Sequence, residues 1–168
     1  MGEFDGYTFT QTQERKTAYE GRVENEERKP SLAYAAQTYF GVGDRVMSLP
    51  WLRTECVEEQ TTGVMGLPRY FSLIKAGEEY VLCQELPDFV REGLEKKQME
   101  ELVEECRLDV EYSPENAMLT IRFAKRTIVL ENIDTEDLDI VYDKGVMEIA
   151  NGENTKIWYC DFPELRNN

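Results

Sequence analysis

Leu138-Asp139-Ile140-Val141-Tyr142, then Asp143-Lys144-Gly145, then Val146-Met147-Glu148-Ile149 is the stretch on which the fold reading turns. Two short apolar runs flank a polar turn that contains glycine, which is the pattern of a β-hairpin. The pattern extends outward in both directions. Downstream, Asn151-Gly152 forms a second turn and Lys156 to Cys160 a further strand. Upstream, Leu108, Val110 and Tyr112 alternate with polar residues, Ser113-Pro114-Glu115-Asn116 turns the chain, Leu119, Ile121 and Phe123 alternate again, and Thr127 to Leu130 follows. Side chains of a strand point alternately to its two faces, so this C-terminal third reads as an antiparallel β meander.

Further toward the N-terminus the periodicity changes. Tyr70-Phe71-Ser72-Leu73-Ile74 and Tyr80-Val81-Leu82-Cys83 flank Lys75 to Glu79 as another hairpin. Asp88 is placed to cap a helix over 88–106, in which Val90, Leu94, Met99, Leu102, Val103 and Cys106 lie along one stripe. Ser31 is placed to cap a helix over 31–40, where Leu32, Ala35, Ala36, Tyr39 and Phe40 recur at helical spacing until Gly41. From Val42 to Arg69 glycine and proline interrupt the chain often, and short strands and loops are expected. Residues 1–30 are polar with scattered aromatics at Phe4, Tyr7, Phe9 and Tyr19, an arm that lacks the means to build its own core. The expected fold class is α+β: an N-terminal arm (1–30) and a single α+β domain (31–168), with no internal repeat.

The charge balance narrows the partners. Thirty-four acidic and 19 basic residues leave a net charge of −15, which repels nucleic-acid phosphates and anionic lipid. No direct nucleic-acid binding and no membrane association are expected. A protein partner or self-association is, and a basic surface on the partner would complement the acids. A chain of 168 residues buries roughly two-thirds of its unfolded surface, enough for a core without metal or disulfide. Cys56, Cys83, Cys106 and Cys160 are too widely spaced for a zinc knuckle or a redox pair, although their number leaves two disulfides open. With no secretory h-region, a cytoplasmic location is expected, or the host cytoplasm or virion for a viral protein.

The sequence carries no recognised catalytic constellation. It has no histidine, which removes the commonest general base and every histidine-dependent triad. Carboxylate pairs remain, but with so many acids their spacing identifies none. Asp134, Glu136, Asp137, Asp139 and Asp143 lack the alternating ligands and central glycine of a calcium loop, and Gly41-Val42-Gly43 completes no phosphate loop. No catalytic, cofactor-binding or metal-ligating residue is assigned, and no cofactor is expected. Partner contacts are assigned by residue type to Trp51, Trp158, Tyr159 and Phe162, because interfaces are enriched in large aromatic side chains. Glu100, Glu101, Glu104 and Glu105 join them, since like charges on one helix repel and a basic partner would relieve that.

Arg126-Thr127-Ile128-Val129-Leu130, Ile133-Asp134-Thr135-Glu136-Asp137-Leu138-Asp139-Ile140 and Asp143-Lys144-Gly145-Val146-Met147-Glu148-Ile149 together resemble the end of the α-crystallin domain of small heat-shock proteins. Tyr80-Val81-Leu82-Cys83-Gln84-Glu85-Leu86-Pro87 is similar to an early strand of that family. The resemblance implies a β-sandwich, oligomerisation and ATP-independent binding of unfolding clients.

The leading functional expectation is a non-catalytic acidic protein-interaction or assembly protein, such as a viral or oligomeric structural or accessory component. Three others stand beside it: a small-heat-shock-like chaperone, an acidic inhibitor that occupies a basic nucleic-acid-binding cleft, and a carboxylate-based hydrolase.

Overall fold

The computed structural model describes residues 1–14, 19–20, 32–39, 41–54, 63–94, 101, 103–104, 107–123, 126–133, 138–143 and 145–162. In chain order the strands are β1 (Gly2–Phe4), β2 (Phe9–Gln11), β3 (Tyr19–Glu20), β4 (Ala33–Tyr39), β5 (Val46–Leu52), β6 (Val64–Met65), β7 (Arg69–Ala76) and β8 (Glu79–Glu85). After a single turn of helix, α1 (Asp88–Arg91), come β9 (Asp109–Ser113), β10 (Met118–Phe123), β11 (Arg126–Glu131), β12 (Leu138–Asp143), β13 (Val146–Asn151) and β14 (Ile157–Asp161).

The centre of the molecule is the sheet β12-β13-β14-β3, antiparallel except for the parallel addition of β3 along β14. Every residue of β13 is buried, and so is every residue of β14 except Asp161. A strand buried on both faces must be covered twice. Met147, Ile149, Trp158 and Cys160 point to one side, where they pack with Leu119, Ile121 and Leu130 of the three-stranded sheet β11-β10-β9. Val146, Ala150, Ile157 and Tyr159 point to the other, against Leu32, which precedes β4, and Ala33 and Leu52 of the sheet β4-β5-β7-β8, on which β6 pairs with β5. The result is three stacked β layers with two hydrophobic cores, one on each side of β13 and β14.

Several polar groups carried into these cores find partners. The Trp158 indole N–H donates to the Glu131 carbonyl at 3.2 Å and ties β14 to β11. Phe162, wholly buried, meets Phe123 edge to face at 5.9 Å and donates its backbone N–H to the Gly145 carbonyl. Asn151 closes the β13–β14 turn by accepting from the backbone amides of Thr155 and Lys156.

The α+β expectation is corrected: the described residues are mostly strand, the proposed 31–40 helix is a strand and the proposed 88–106 helix is interrupted. Residues 33–39 of the 31–40 segment form β4, paired with β5. The pairing has a bulge between Tyr34 and Gln37, and Ala35 takes a φ of 48° there. Pro50 stands opposite the bulge. Proline has no N–H to give a neighbouring strand, and a bulge is the usual accommodation. The helical spacing of Leu32, Ala35, Ala36 and Tyr39 matched no apolar surface, because only Leu32 and Ala33 enter the core while Ala35, Ala36 and Tyr39 are exposed. The helix over 88–106 is not continuous: α1 ends at Arg91 and the chain turns through Glu92 and Gly93, although Glu101, Val103 and Glu104 are again helical. Residues 95–100, 102 and 105–106 lie outside the described residues.

The single C-terminal meander is corrected as well. Its strands form, but β9-β10-β11 and β12-β13-β14 are separate sheets in different layers. The arm contributes the β1–β2 hairpin and β3, while its residues 15–18 and 21–30 are outside the described set. Ile149→Ala should cost about 2–5 kcal/mol of unfolding free energy, because it leaves a void in a core with no solvent access, whereas Val129→Ala on the exposed side of β11 should cost about 0.5 kcal/mol or less. Urea denaturation of the two variants checks this.

Candidate functional site

Glu148 breaks the apolar pattern of β13. It points to the same side as Val146 and Ala150, into the interface with the β4-β5-β7-β8 sheet, where a bare carboxylate would be strongly unfavourable. Arg69, the first residue of β7, supplies the counter-charge: its Nη2 donates to Glu148 Oε2 at 2.9 Å, with both side chains almost wholly buried. Glu148 Oε1 accepts the Leu67 backbone N–H at 2.7 Å. Arg69 Nη1 donates to the Gln84 carbonyl on β8 at 3.2 Å, and Arg69 Nε has no hydrogen-bond partner among the described residues. The loop before β7 comes this close because residue 66 is glycine. A β-carbon there would lie 2.9 Å from the Pro50 ring and 3.4 Å from Glu148 Oε1.

Burial pushes the Glu148 carboxyl above its ordinary value, and the nearby charge of Asp143 adds to the push. The Arg69 guanidinium and the Leu67 amide pull the other way, and desolvation prevails. Beside the pair lies a recess lined by Leu52, Val64, Met65, Leu67, Val141, Asp143, Val146 and Glu148. Its volume is about 20 Å³, room for one water and not for a sugar or peptide group. The Arg69–Glu148 pair is therefore an inter-layer tie, and the recess beside it has no bay for a substrate. Among the described residues no group of acids and cysteines is arranged to hold a metal ion.

The residues proposed as partner contacts are not brought together. Trp158, Tyr159 and Phe162 are core side chains with about 0–1% exposure, Trp158 and Phe162 in the core on one side of the central sheet and Tyr159 in the core on the other. Trp51 is half-buried on β5, its ring 6.2 Å from that of Tyr34 in an edge-to-face pair. Glu101 and Glu104 are exposed, and Glu100 and Glu105 lie outside the described residues. Of the acidic run, Asp139 pairs with Arg91 at 2.8 Å and docks α1 on β12. Cys83 and Cys160 are buried and not joined in a disulfide, with burial and the Glu85 charge raising the Cys83 pKa, and Cys56 and Cys106 fall outside the described residues.

Sequence reasoning missed a different surface. Beyond the Arg69 end, the β7–β8 hairpin is exposed on both faces, and Leu73, Ile74 and Tyr80 are 57%, 40% and 46% exposed. The β1–β2 hairpin, with Phe4 and Phe9 exposed, is attached at this place: Gln13 Nε2 donates to the Tyr80 carbonyl at 3.0 Å and Gln13 Oε1 accepts the Tyr80 N–H at 2.8 Å. The available signal was that neither face of Tyr70 to Cys83 is cleanly polar.

No family model, curated protein or solved structure matches the chain. The likeness to the α-crystallin domain rests on the quoted residues alone, and those residues divide between β11 in one sheet and β12 and β13 in another. Among the described residues no helix is long and apolar enough to cross a membrane.

Arg69→Met alone should cost about 3–5 kcal/mol, because it strands Glu148 in the interior, while Arg69→Met combined with Glu148→Leu should recover most of that loss. Chemical denaturation of the single and double variants measures both. The pH dependence has a definite sign. An acid with a raised folded pKa holds its proton more readily folded than unfolded, so its contribution is present below the ordinary value of 4.5 and is lost as pH rises through the folded pKa. Wild type should therefore lose stability relative to Glu148→Gln as pH rises above the ordinary value of 4.5. Wild type gaining stability relative to Glu148→Gln as pH rises would reverse the assignment.

Proposed function

We propose that the protein is a non-catalytic, acidic protein-interaction or assembly protein whose contact surface is the outer part of the β7–β8 hairpin with the attached β1–β2 hairpin. The observation that carries this reading is the concentration of exposed apolar side chains on two neighbouring hairpins: Phe4, Phe9, Leu73, Ile74 and Tyr80. Each is the kind of side chain that folding normally removes from water, and contiguous apolar surface on a folded protein marks a site of contact. The chain's charge of −15 keeps such a surface soluble and favours partners that present basic groups at its rim. The absence of histidine supports a role without general acid–base chemistry, and the recess beside Glu148 offers no room for the substrate of a carboxylate hydrolase.

The test is Leu73→Lys with Ile74→Lys. Both side chains are exposed, so the variant should unfold within about 0.5 kcal/mol per substitution of wild type. Wild type should appear in its native extract as an assembly, seen by light scattering or by affinity capture, and the variant should lose it. A strict wild-type monomer that captures nothing would end the proposal.

A further inference from the structure

Two arginines stand at the ends of β5, on the face that turns away from the central sheet. Side chains of β5 alternate and Leu52 enters the core, so Met47, Leu49 and Trp51 point outward. Arg53 joins them, its guanidinium carbon 3.9 Å from the centre of the Tyr34 ring, and Arg45 lies 4.7 Å over the Tyr70 ring. Tyr70 belongs to the same face: its neighbour Arg69 points inward to Glu148, and Tyr70 itself is paired with Met47. The outer face of β5 thus reads cation, apolar centre, cation.

The bulge in β4 serves this face. Tyr34 stands opposite Trp51 and Tyr39 opposite Met47, although residues five apart on a regular strand point to opposite sides. The extra residue between Tyr34 and Gln37 sets both tyrosines on the outer side, which is the re-aiming that bulges perform. Tyr34 and Tyr39 are 53% and 47% exposed, and Met65, opposite Trp51 on β6, is 55% exposed. The outward residues of β4, β5 and β6 include no acid, in a chain that has 34. The first carboxylate across the sheet is Glu85, opposite Tyr70 on β8. The ion pairs among the described residues involve Arg69, Arg91 and Arg122, and neither Arg45 nor Arg53. A guanidinium stacked on a ring is held in place while its N–H edge stays open to a carboxylate.

We infer that the outer face of β4 and β5 docks a proline-rich segment of a protein partner, with two acidic residues about eight positions apart that meet Arg45 and Arg53 and an apolar middle that lies on Tyr34, Tyr39 and Trp51. This surface goes beyond the hairpin contact proposed above and has the opposite charge preference. The occupant's chemistry follows from the face. Arg45 and Arg53 are separated by about 26 Å of strand at roughly 3.3 Å per residue. A polyproline II segment rises about 3.1 Å per residue, so carboxylates eight residues apart are about 25 Å apart. A sheet directs its backbone N–H and C=O groups within its own plane, and its face offers a ligand backbone no ladder. Polyproline II needs none, because its backbone stays hydrated while its proline rings pack on aromatic side chains. A single-stranded nucleic acid would bring one charge per nucleotide against the chain's −15, whereas the peptide brings only the two that the arginines neutralise.

The probe is a fluorescent nine-residue peptide, Glu-Pro-Pro-Leu-Pro-Pro-Leu-Pro-Glu, titrated by anisotropy into the full chain and into Arg45→Gln, Arg53→Gln and the double variant. Each single variant should bind about three- to fivefold more weakly than wild type and the double variant about tenfold or more, as expected for exposed charge pairs. Arg45→Lys with Arg53→Lys keeps the charge without the planar fork and should fall between wild type and the double variant. Binding should weaken with added salt. It should also change the tryptophan emission, because Trp51 lies on this face and the other tryptophan, Trp158, is wholly buried. Leu73→Lys with Ile74→Lys should bind the peptide at least as tightly as wild type. No binding to wild type, equal binding to the double glutamine variant, or equal binding of a control peptide with lysine at both ends would overturn the inference. So would tighter binding of a nine-nucleotide oligouridylate, which would make nucleic acid the occupant. If a partner is captured through Leu73 and Ile74 while the peptide fails these criteria, this docking face falls and the hairpin contact stands.

Discussion

The structure depends on covering β13 and β14 from both sides. Two layers would have sufficed to bury one apolar face of this hairpin. The second face carries Glu148 among Val146, Ala150, Ile157 and Tyr159, and it too is covered. Once that face is closed, the carboxylate has to be met by something other than water. Arg69 and the Leu67 amide meet it, and both come from the same short segment leading into β7. The position of β7 relative to the central sheet is thereby set by a polar contact of fixed geometry, whereas apolar packing alone would tolerate several registers.

The outer sheet inherits its exposure from the same contact. Arg69 begins β7, Gln84 lies near the end of β8, and both are buried where the two layers meet. From that anchor the hairpin runs outward past the central sheet, so that Leu73, Ile74 and Tyr80 reach solvent. A single hairpin thus has a buried, polar, rigid base and an exposed, apolar outer part. The N-terminal arm returns to this outer part through Gln13, and the local arrangement gathers the apolar hairpins into one region.

Much of the local structure was legible from residue patterns. The turns at Gly77 and Gly145, both with positive φ, separate strands that pair as their flanking apolar runs imply. The failures share a cause. Alternation identifies a strand, but it does not say how many layers cover it, and residue type alone does not separate Trp158, Tyr159 and Phe162 as core side chains from interface ones, since two-sided burial leaves no polar face to read. Leu32, Ala35, Ala36 and Tyr39 had helical spacing by composition, and the pairing of β4 with β5 overrode it at the cost of a bulge opposite Pro50.

The sequence by itself determined the strands and turns of the C-terminal half, the acidity, and the lack of histidine, because each is a property of residues close together or of simple sums. Only the tertiary structure decided which strands share a sheet, that Arg69 and Glu148, 79 residues apart, form the buried tie, and that Gln13 closes the edge at Tyr80. These are long-range pairings, and their selection depends on which faces meet when the layers stack, information that no local window of the chain contains.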